Sequence, residues 1–332
     1  MGALCEAFGV DGLPLIVAEI GGNHGGRLAL ALEMVDAATA SGAHAVKFQT
    51  YVTDRFVSRS HPSYEEFARE ALSFDELAVV AQHCRARNIV FFSTPFDEDS
   101  ADLLESLDVP AFKIASGDLT HLSLLRHVAA KGRPVLLATG ASTGAEIDAA
   151  VAVVRQVSEA ELVLLHCVSA YPAPDEEINL RVIPELARQY GVAVGFSDHT
   201  VGIEVALAAV ALGAQVIEKH FTIDQSLAGG DNAMSVTPDE MAALVKGSRR
   251  IPAALGDGVR RLTASERRLL PALRRSLTLR RPLAAGEAVA REDLIAVRPG
   301  TGIDPGHLDA VVGRRASRDL PDGRLLEPAD LV

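Results

Sequence analysis

Side chains able to bind anions, move protons or hold a metal recur at the carboxyl ends of short apolar runs. Glu19 lies in AEIGGNHGG, residues 18–26, whose glycines permit either close backbone approach to a ligand or a tight turn. Lys47 in VKFQT and Lys113 in FKIASGD are accompanied by Thr94 in STPFD. Two lysines among hydroxyls and amides suit a phosphate together with a carboxylate, because charge-assisted donors are needed where water is excluded. A Schiff-base lysine is the rival chemistry for either one. His199 in FSDHT and His220 in EKHF end successive runs. Imidazoles on neighbouring strands, about 4.8 Å apart, can share one divalent metal, with ordinary hydrogen-bonded histidines as the alternative. Two ligands leave coordination positions for water and substrate, which Lewis-acid catalysis requires.

These residues need a scaffold that brings strand ends together. Runs rich in Val, Ile, Leu and Phe occur at 14–20, 45–50, 90–96, 111–116, 134–140, 162–168, 193–199 and 216–222, with helical patterns between them. That alternation predicts parallel strands buried on both faces and joined by helices. Eight such units predict a (β/α)8 TIM barrel. A doubly wound open sheet is the alternative, but it usually has fewer strands, and the first turn lacks GxGxxG. The strand ends carry Glu19, Lys47 with Gln49, Thr94, Lys113 with Ser116, Thr139, His166, Asp198 with His199, and Lys219 with His220. In a barrel these converge on one face.

The 332 residues allow one large domain or two. With 48% hydrophobic and 23% charged residues, the chain has the composition of a folded globular protein. A net charge of -12 disfavours nonspecific attraction to nucleic acid or an anionic membrane, so an anionic substrate needs a local basic pocket. Cys5, Cys84 and Cys167 form no CxxC pair, so a disulfide framework is not expected and a cytoplasmic location is. No signal segment or membrane span is expected either. Residues 259–332 hold 14 Arg against 10 acidic residues, whereas the first 258 carry 18 basic and 34 acidic ones. This asymmetry predicts a barrel over 1–255, a linker over 256–271 and a small β-rich domain over 272–332. A core that small is expected to dock on something.

Taken together, AEIGGNHGG, VKFQTY, STPFD, FKIASGD, LLATGAST, LLHCVSAYPAP, GFSDHT, VIEKHFT and GGDNAMS resemble the N-acetylneuraminate (sialic acid) synthases and their legionaminic and pseudaminic acid relatives. RRSLTLRRPLAAGE and VRPGTGI resemble the antifreeze-like (SAF) domain attached to those enzymes. The resemblance implies condensation of phosphoenolpyruvate with an N-acylated amino sugar, with release of phosphate. It places phosphoenolpyruvate on Lys47, Thr94, Lys113, Ser116, Ser169 and Ser197. It implies Mn2+ or Mg2+ on His199 and His220, sugar contacts from Tyr171 and Asp231, and Glu19 and Asp118 as the catalytic carboxylates. Arg298 is implied to reach the sugar's acyl group from a partner subunit, in a domain-exchanged homodimer.

Some positions depart from the family pattern. Asp118 stands where some relatives have Glu, Ala138 where many have Ser, and Gly230 and Asn232 where Pro and His are common. N-acetylmannosamine is the expected sugar and a diacetamido hexose the next. A 6-phosphorylated sugar and a catalytically silent sugar-binding homologue are the competing expectations.

Overall fold

The apolar runs become eight parallel strands: β1 (Leu15–Gly21), β2 (Ala45–Thr50), β3 (Val90–Pro95), β4 (Phe112–Ile114), β5 (Val135–Ala138), β6 (Leu162–Cys167), β7 (Ala193–Asp198) and β8 (Val216–His220). They form a closed barrel in sequence order, with β1 hydrogen-bonded to both β2 and β8. This is the predicted (β/α)8 architecture, seen in a computed structural model that describes residues 2–8 and 14–332. Residues 1 and 9–13, inside the segment expected to form the barrel domain, lie outside the described residues. The β4 strand is shorter than the predicted 111–116, because the chain turns at once into a 3-10 segment, Ser116–Asp118.

Strand residues are almost entirely buried because helices cover the outside of the barrel while side chains fill its interior. Helix starts are marked in the sequence. Ser73, Thr143 and Thr237 each accept from the backbone N–H of a Glu three residues on, whose side chain caps in return. The N-terminal helix Gly2–Ala7 buries Leu4 and is followed by Phe8, whose ring meets Phe92 edge-on at 5.3 Å.

The chain divides into two units, Met1–Gly256 and Asp257–Val332. The helix Ala264–Leu273 runs across the boundary expected at 271. The second unit has an antiparallel pair, β9 (Ser276–Leu279) and β10 (Leu294–Val297), several single bridges and a small core that includes Leu277, Leu283, Leu320 and Leu326. Two buried carboxylates organise it. Asp293 takes two hydrogen bonds from Arg281, at 2.6 and 2.9 Å, and Asp330 pairs with Arg324 and Arg318. Among the described residues, no helix is long and apolar enough to cross a membrane.

Candidate functional site

Every strand of the barrel contributes to one cavity of about 400 Å³. Its lining includes Glu19, Lys47, Gln49, Thr94, Lys113, Ala138, Cys167, Ser197, Glu218 and His220 from β1–β8, with Ser116 and His199 just beyond their strands. Strand parity selects these residues: alternate side chains share a face, so Lys47 with Gln49, Ser197 with His199 and Glu218 with His220 all point inward. The same rule corrects the strand-end reading, because Thr139, His166, Asp198 and Lys219 do not line the cavity. Thr139 donates to the Leu165 carbonyl, and His166 contacts the Ile178 carbonyl and lies 5.8 Å from the Phe196 ring. Asp198 and Lys219 pair with each other.

At the base of the cavity, two carboxylates face two lysines. Lys47 Nζ lies 2.8 Å from Glu19 Oε2 and donates to Thr94 Oγ1 at 2.9 Å. Lys113 Nζ lies 3.7 Å from Glu218 Oε1, which accepts from Ser197 Oγ at 2.9 Å. Burial, reinforced by the Glu218 charge and opposed by Lys47, raises Glu19 to about 7. Burial would also raise Glu218, but Lys113 and Lys47 outweigh it and hold the group below its ordinary range. Burial lowers Lys113, whereas at Lys47 burial is outweighed by Glu19 and Glu218, which raise it. One carboxylate therefore exchanges a proton near neutrality while the other stays ionised, the division of roles that acid–base chemistry uses.

Glu218 was missed in the sequence, although VIEKHF contains the signal. It stands two residues before His220, on the same face of the strand. Of the predicted residues, Asp118 and Ser169 do not line the cavity. Asp118 is half-buried in the 3-10 segment, and burial raises it against the pull of His121 and Lys113. Ser169 and Ser116 flank Gly140, where an added Cβ would come within 2.4 Å of the Ser169 hydroxyl and 2.8 Å of the Ser116 hydroxyl. Arg298 belongs to the second unit, where its Nε donates to the Leu273 carbonyl.

Tyr171 covers the two histidines, with ring centroids 4.2 Å from His199 and 5.9 Å from His220; the imidazoles are 5.3 Å apart. Asp231 Oδ2 lies 3.5 Å from His220 Nδ1. That nitrogen is buried without a hydrogen-bond partner among the described residues, and burial keeps the ring neutral with its lone pair available. His199 directs Nδ1 at the Val168 carbonyl, 2.7 Å away, which leaves Nε2 for another partner. Burial would lower this imidazole, but contacts with Cys167 and Val168 outweigh it and raise the group. A cation would displace a proton there. Among the described residues no three His, Cys, Asp or Glu side chains form a metal-holding group. His199 and His220, with imidazoles 5.3 Å apart, thus offer two nitrogen donors to any ion bound there.

Apart from Gly230 and Asp231, the mouth of the cavity comes from residues to which the sequence reading gave no role. Phe56, Glu66, Phe67 and Glu70, on or beside the helices Thr53–Phe56 and Tyr64–Glu70, line it together with Phe96, Gly230 and Asp231. The glycine-rich turn after β1 builds this wall. Gly26 has φ +72 and lies so close to Arg69 that a Cβ would reach its carbonyl oxygen at 1.9 Å. Asn23 Oδ1 accepts from the Asp231 N–H, and its amide donates to Phe221 O and Ser235 Oγ. Asn232, one of the departures from the family pattern, is buried, accepts from Thr222 and donates to Gly229. It shapes the loop and does not line the cavity.

Comparison with known proteins agrees with this geometry. The NeuB family pattern matches residues 34–260 and the SAF domain pattern residues 274–332. The chain is 41% identical to N,N'-diacetyllegionaminic acid synthase of Legionella pneumophila, over 94% of this chain and 92% of that one. It is 32% identical to pseudaminic acid synthase of Campylobacter jejuni, over 97% and 98% of the two chains. A crystal structure of N-acetylneuraminic acid (sialic acid) synthetase from Leptospira borgpetersenii, 38% identical, superposes with a TM-score of 0.74 over 78% of this chain and 90% of that one. With these two stretches matched, and relatives at 32 to 41% identity over most of its length, the chain belongs to the NeuB family and carries a SAF domain.

Proposed function

We propose that this protein is a nonulosonic acid synthase that condenses phosphoenolpyruvate with an N-acylated amino sugar. The supporting observation is the buried pair of lysines, Lys47 and Lys113, with hydroxyls from Thr94, Ser116 and Ser197 on the same cavity. In this reading they hold the phosphate and carboxylate of phosphoenolpyruvate, with Ser169 beyond Gly140 as a further hydroxyl. C3 of phosphoenolpyruvate bonds to the aldehyde carbon of the open-chain sugar, whose oxygen gains a proton. Water adds at C2 and gives up one proton, the C2–O bond to phosphate breaks as the C2 hydroxyl yields its remaining proton to the departing phosphate, and a nine-carbon 2-keto acid and phosphate result.

His199 and His220 would hold Mn2+ or Mg2+, which when bound supplies Lewis-acid polarisation of the aldehyde. Glu19, with its proton affinity near neutrality, takes the proton of the attacking water; Asp118 is the more distant carboxylate. Tyr171 and Asp231 orient the sugar. Arg298 reaches the acyl group from a second subunit in a domain-exchanged homodimer, and a cytoplasmic enzyme is the setting.

The charge at the mouth argues against a 6-phosphorylated sugar. Glu66, Glu70 and Asp231 line it, and among the described lining residues the only Lys or Arg are Lys47 and Lys113. Phe56, Phe67 and Phe96 give the same region an apolar surface. The relative named N,N'-diacetyllegionaminic acid synthase adds support for a diacetamido sugar beside N-acetylmannosamine. The test is incubation with phosphoenolpyruvate, Mn2+ and a panel of N-acyl sugars, reading phosphate release and product mass. Release with at least one unphosphorylated sugar is expected; no release with any sugar overturns the proposal in favour of a binding protein.

A further inference from the structure

Behind the two histidines lies an ion pair that the chemistry above does not use. Asp198 Oδ2 and Lys219 Nζ are 2.9 Å apart, and both side chains are fully buried. Their residues are register partners in β7 and β8, and strand parity turns both away from the cavity. Desolvating two charges offsets most of their attraction, so a pair of this kind contributes little stability over apolar residues of the same volume. It does impose direction. Asp198 Oδ1 accepts from both the N–H and the hydroxyl of Thr200, at 2.9 and 2.8 Å, and the Lys219 ammonium also donates to the Thr200 carbonyl.

His199 sits between two residues that Lys219 grips, and His220 follows Lys219 directly. Neither imidazole-bearing backbone can shift relative to the other without stretching one of these bonds. We infer that the Asp198–Lys219–Thr200 cluster is a clamp that fixes the spacing of His199 and His220 and so sets the affinity for a divalent cation. Asp198, Lys219 and Thr200 are positioning residues in this account. The inference rests on the reading of the two histidines as metal ligands.

The test uses the full-length protein without substrates. Mn2+ affinity is read from the electron paramagnetic resonance signal of free Mn2+, and phosphoenolpyruvate affinity is measured separately in chelator by calorimetry. Asp198→Asn keeps the shape and removes the charge. It is expected to weaken Mn2+ binding by about 10- to 100-fold, as loss of a group that orients a ligand does, while phosphoenolpyruvate affinity stays within about twofold of wild type. Thr200→Val removes only the hydroxyl bond and decides the matter if Asp198→Asn does not fold; a loss of about threefold or more in Mn2+ affinity is expected. Unchanged Mn2+ affinity in the folded variants overturns the clamp. Equal losses for Mn2+ and phosphoenolpyruvate also overturn it, since general loosening would do that. Failure of the wild type to bind Mn2+ overturns the metal reading itself, and the clamp with it.

Discussion

The Lys47 ammonium stands 2.8 Å from the Glu19 carboxylate with both side chains almost fully removed from water. An anionic substrate reaching this lysine competes with Glu19 for it. The arriving negative charge also favours protonation of Glu19, whose affinity already lies near 7. In the proposed reading, substrate binding and proton uptake are thereby linked at one residue.

Activity is expected to rise with pH through about 7, as Glu19 ionises and becomes able to accept the water proton. Glu19→Gln should lower kcat by about 10²- to 10⁴-fold and abolish that limb. Above about pH 7 the phosphoenolpyruvate KM should fall, because the amide, like the protonated acid, no longer competes as an anion for Lys47. The check is a pH profile of kcat/KM for both forms; a limb that survives in Glu19→Gln assigns the proton to another group.

Glu218→Gln tests the carboxylate that the sequence reading missed. The Glu218 charge raises Glu19, so its removal should move the activity limb below that of wild type. The cavity also loses one negative charge beside Lys113, so phosphoenolpyruvate should bind more tightly. A limb that stays in place or moves upward counts against the coupling.

Lys113→Met should raise phosphoenolpyruvate KM by about 10- to 100-fold, the range for one charge-assisted hydrogen bond. The sugar KM should stay near wild type, and steady-state kinetics with each substrate varied in turn separates the two. Accumulation of a borohydride-trappable adduct on wild-type Lys113 would instead favour the Schiff-base alternative.

Arg298→Ala and Lys113→Met together test exchange between subunits. Each variant alone should be nearly inactive at substrate concentrations below the wild-type KM values, and co-expression should restore activity, because one barrel then receives an intact arginine from the other chain. Assays of tagged, co-purified heterodimers decide it; no restoration indicates that Arg298 does not act across subunits.

In the second unit, Asp293 is held below its ordinary 3.8: burial would raise it, but the Ala290 N–H and Arg281 outweigh burial. A depressed carboxylate contributes stability above its unfolded value and loses it as pH falls through the folded one. Thermal scans should therefore show this unit weakening as pH falls below 3.8. Arg281→Ala should lower the stability of this unit at neutral pH and weaken its dependence on acid, an effect moderated by solvent because Arg281 is half exposed. Insensitivity of both scans removes the pair from the account.

Local patterns determined much of this protein. Continuous apolar runs such as residues 162–165 read as buried parallel strands because a strand flanked by helices has no wet face. Polar and charged groups at their ends marked one rim of the barrel, where the cavity lies. The period of two was also present in the sequence, and it alone distinguishes His199 and Glu218, which face the cavity, from Asp198 and Lys219, which do not.

What the sequence could not decide depends on distance through space. The pairing of Glu19 with Lys47 follows from barrel register, and the proton affinity of Glu19 depends on burial and on Glu218, 199 residues away. The mouth was hidden for the same reason. Helix Tyr64–Glu70 carries no motif, and it becomes a wall only because the glycine-rich turn after β1 packs against its backbone and Glu70 accepts from the Gly230 N–H. Sequence thus fixes which chemical groups are present and which strand face they share, whereas solvent exclusion and long-range contact set their charge states and complete the cavity.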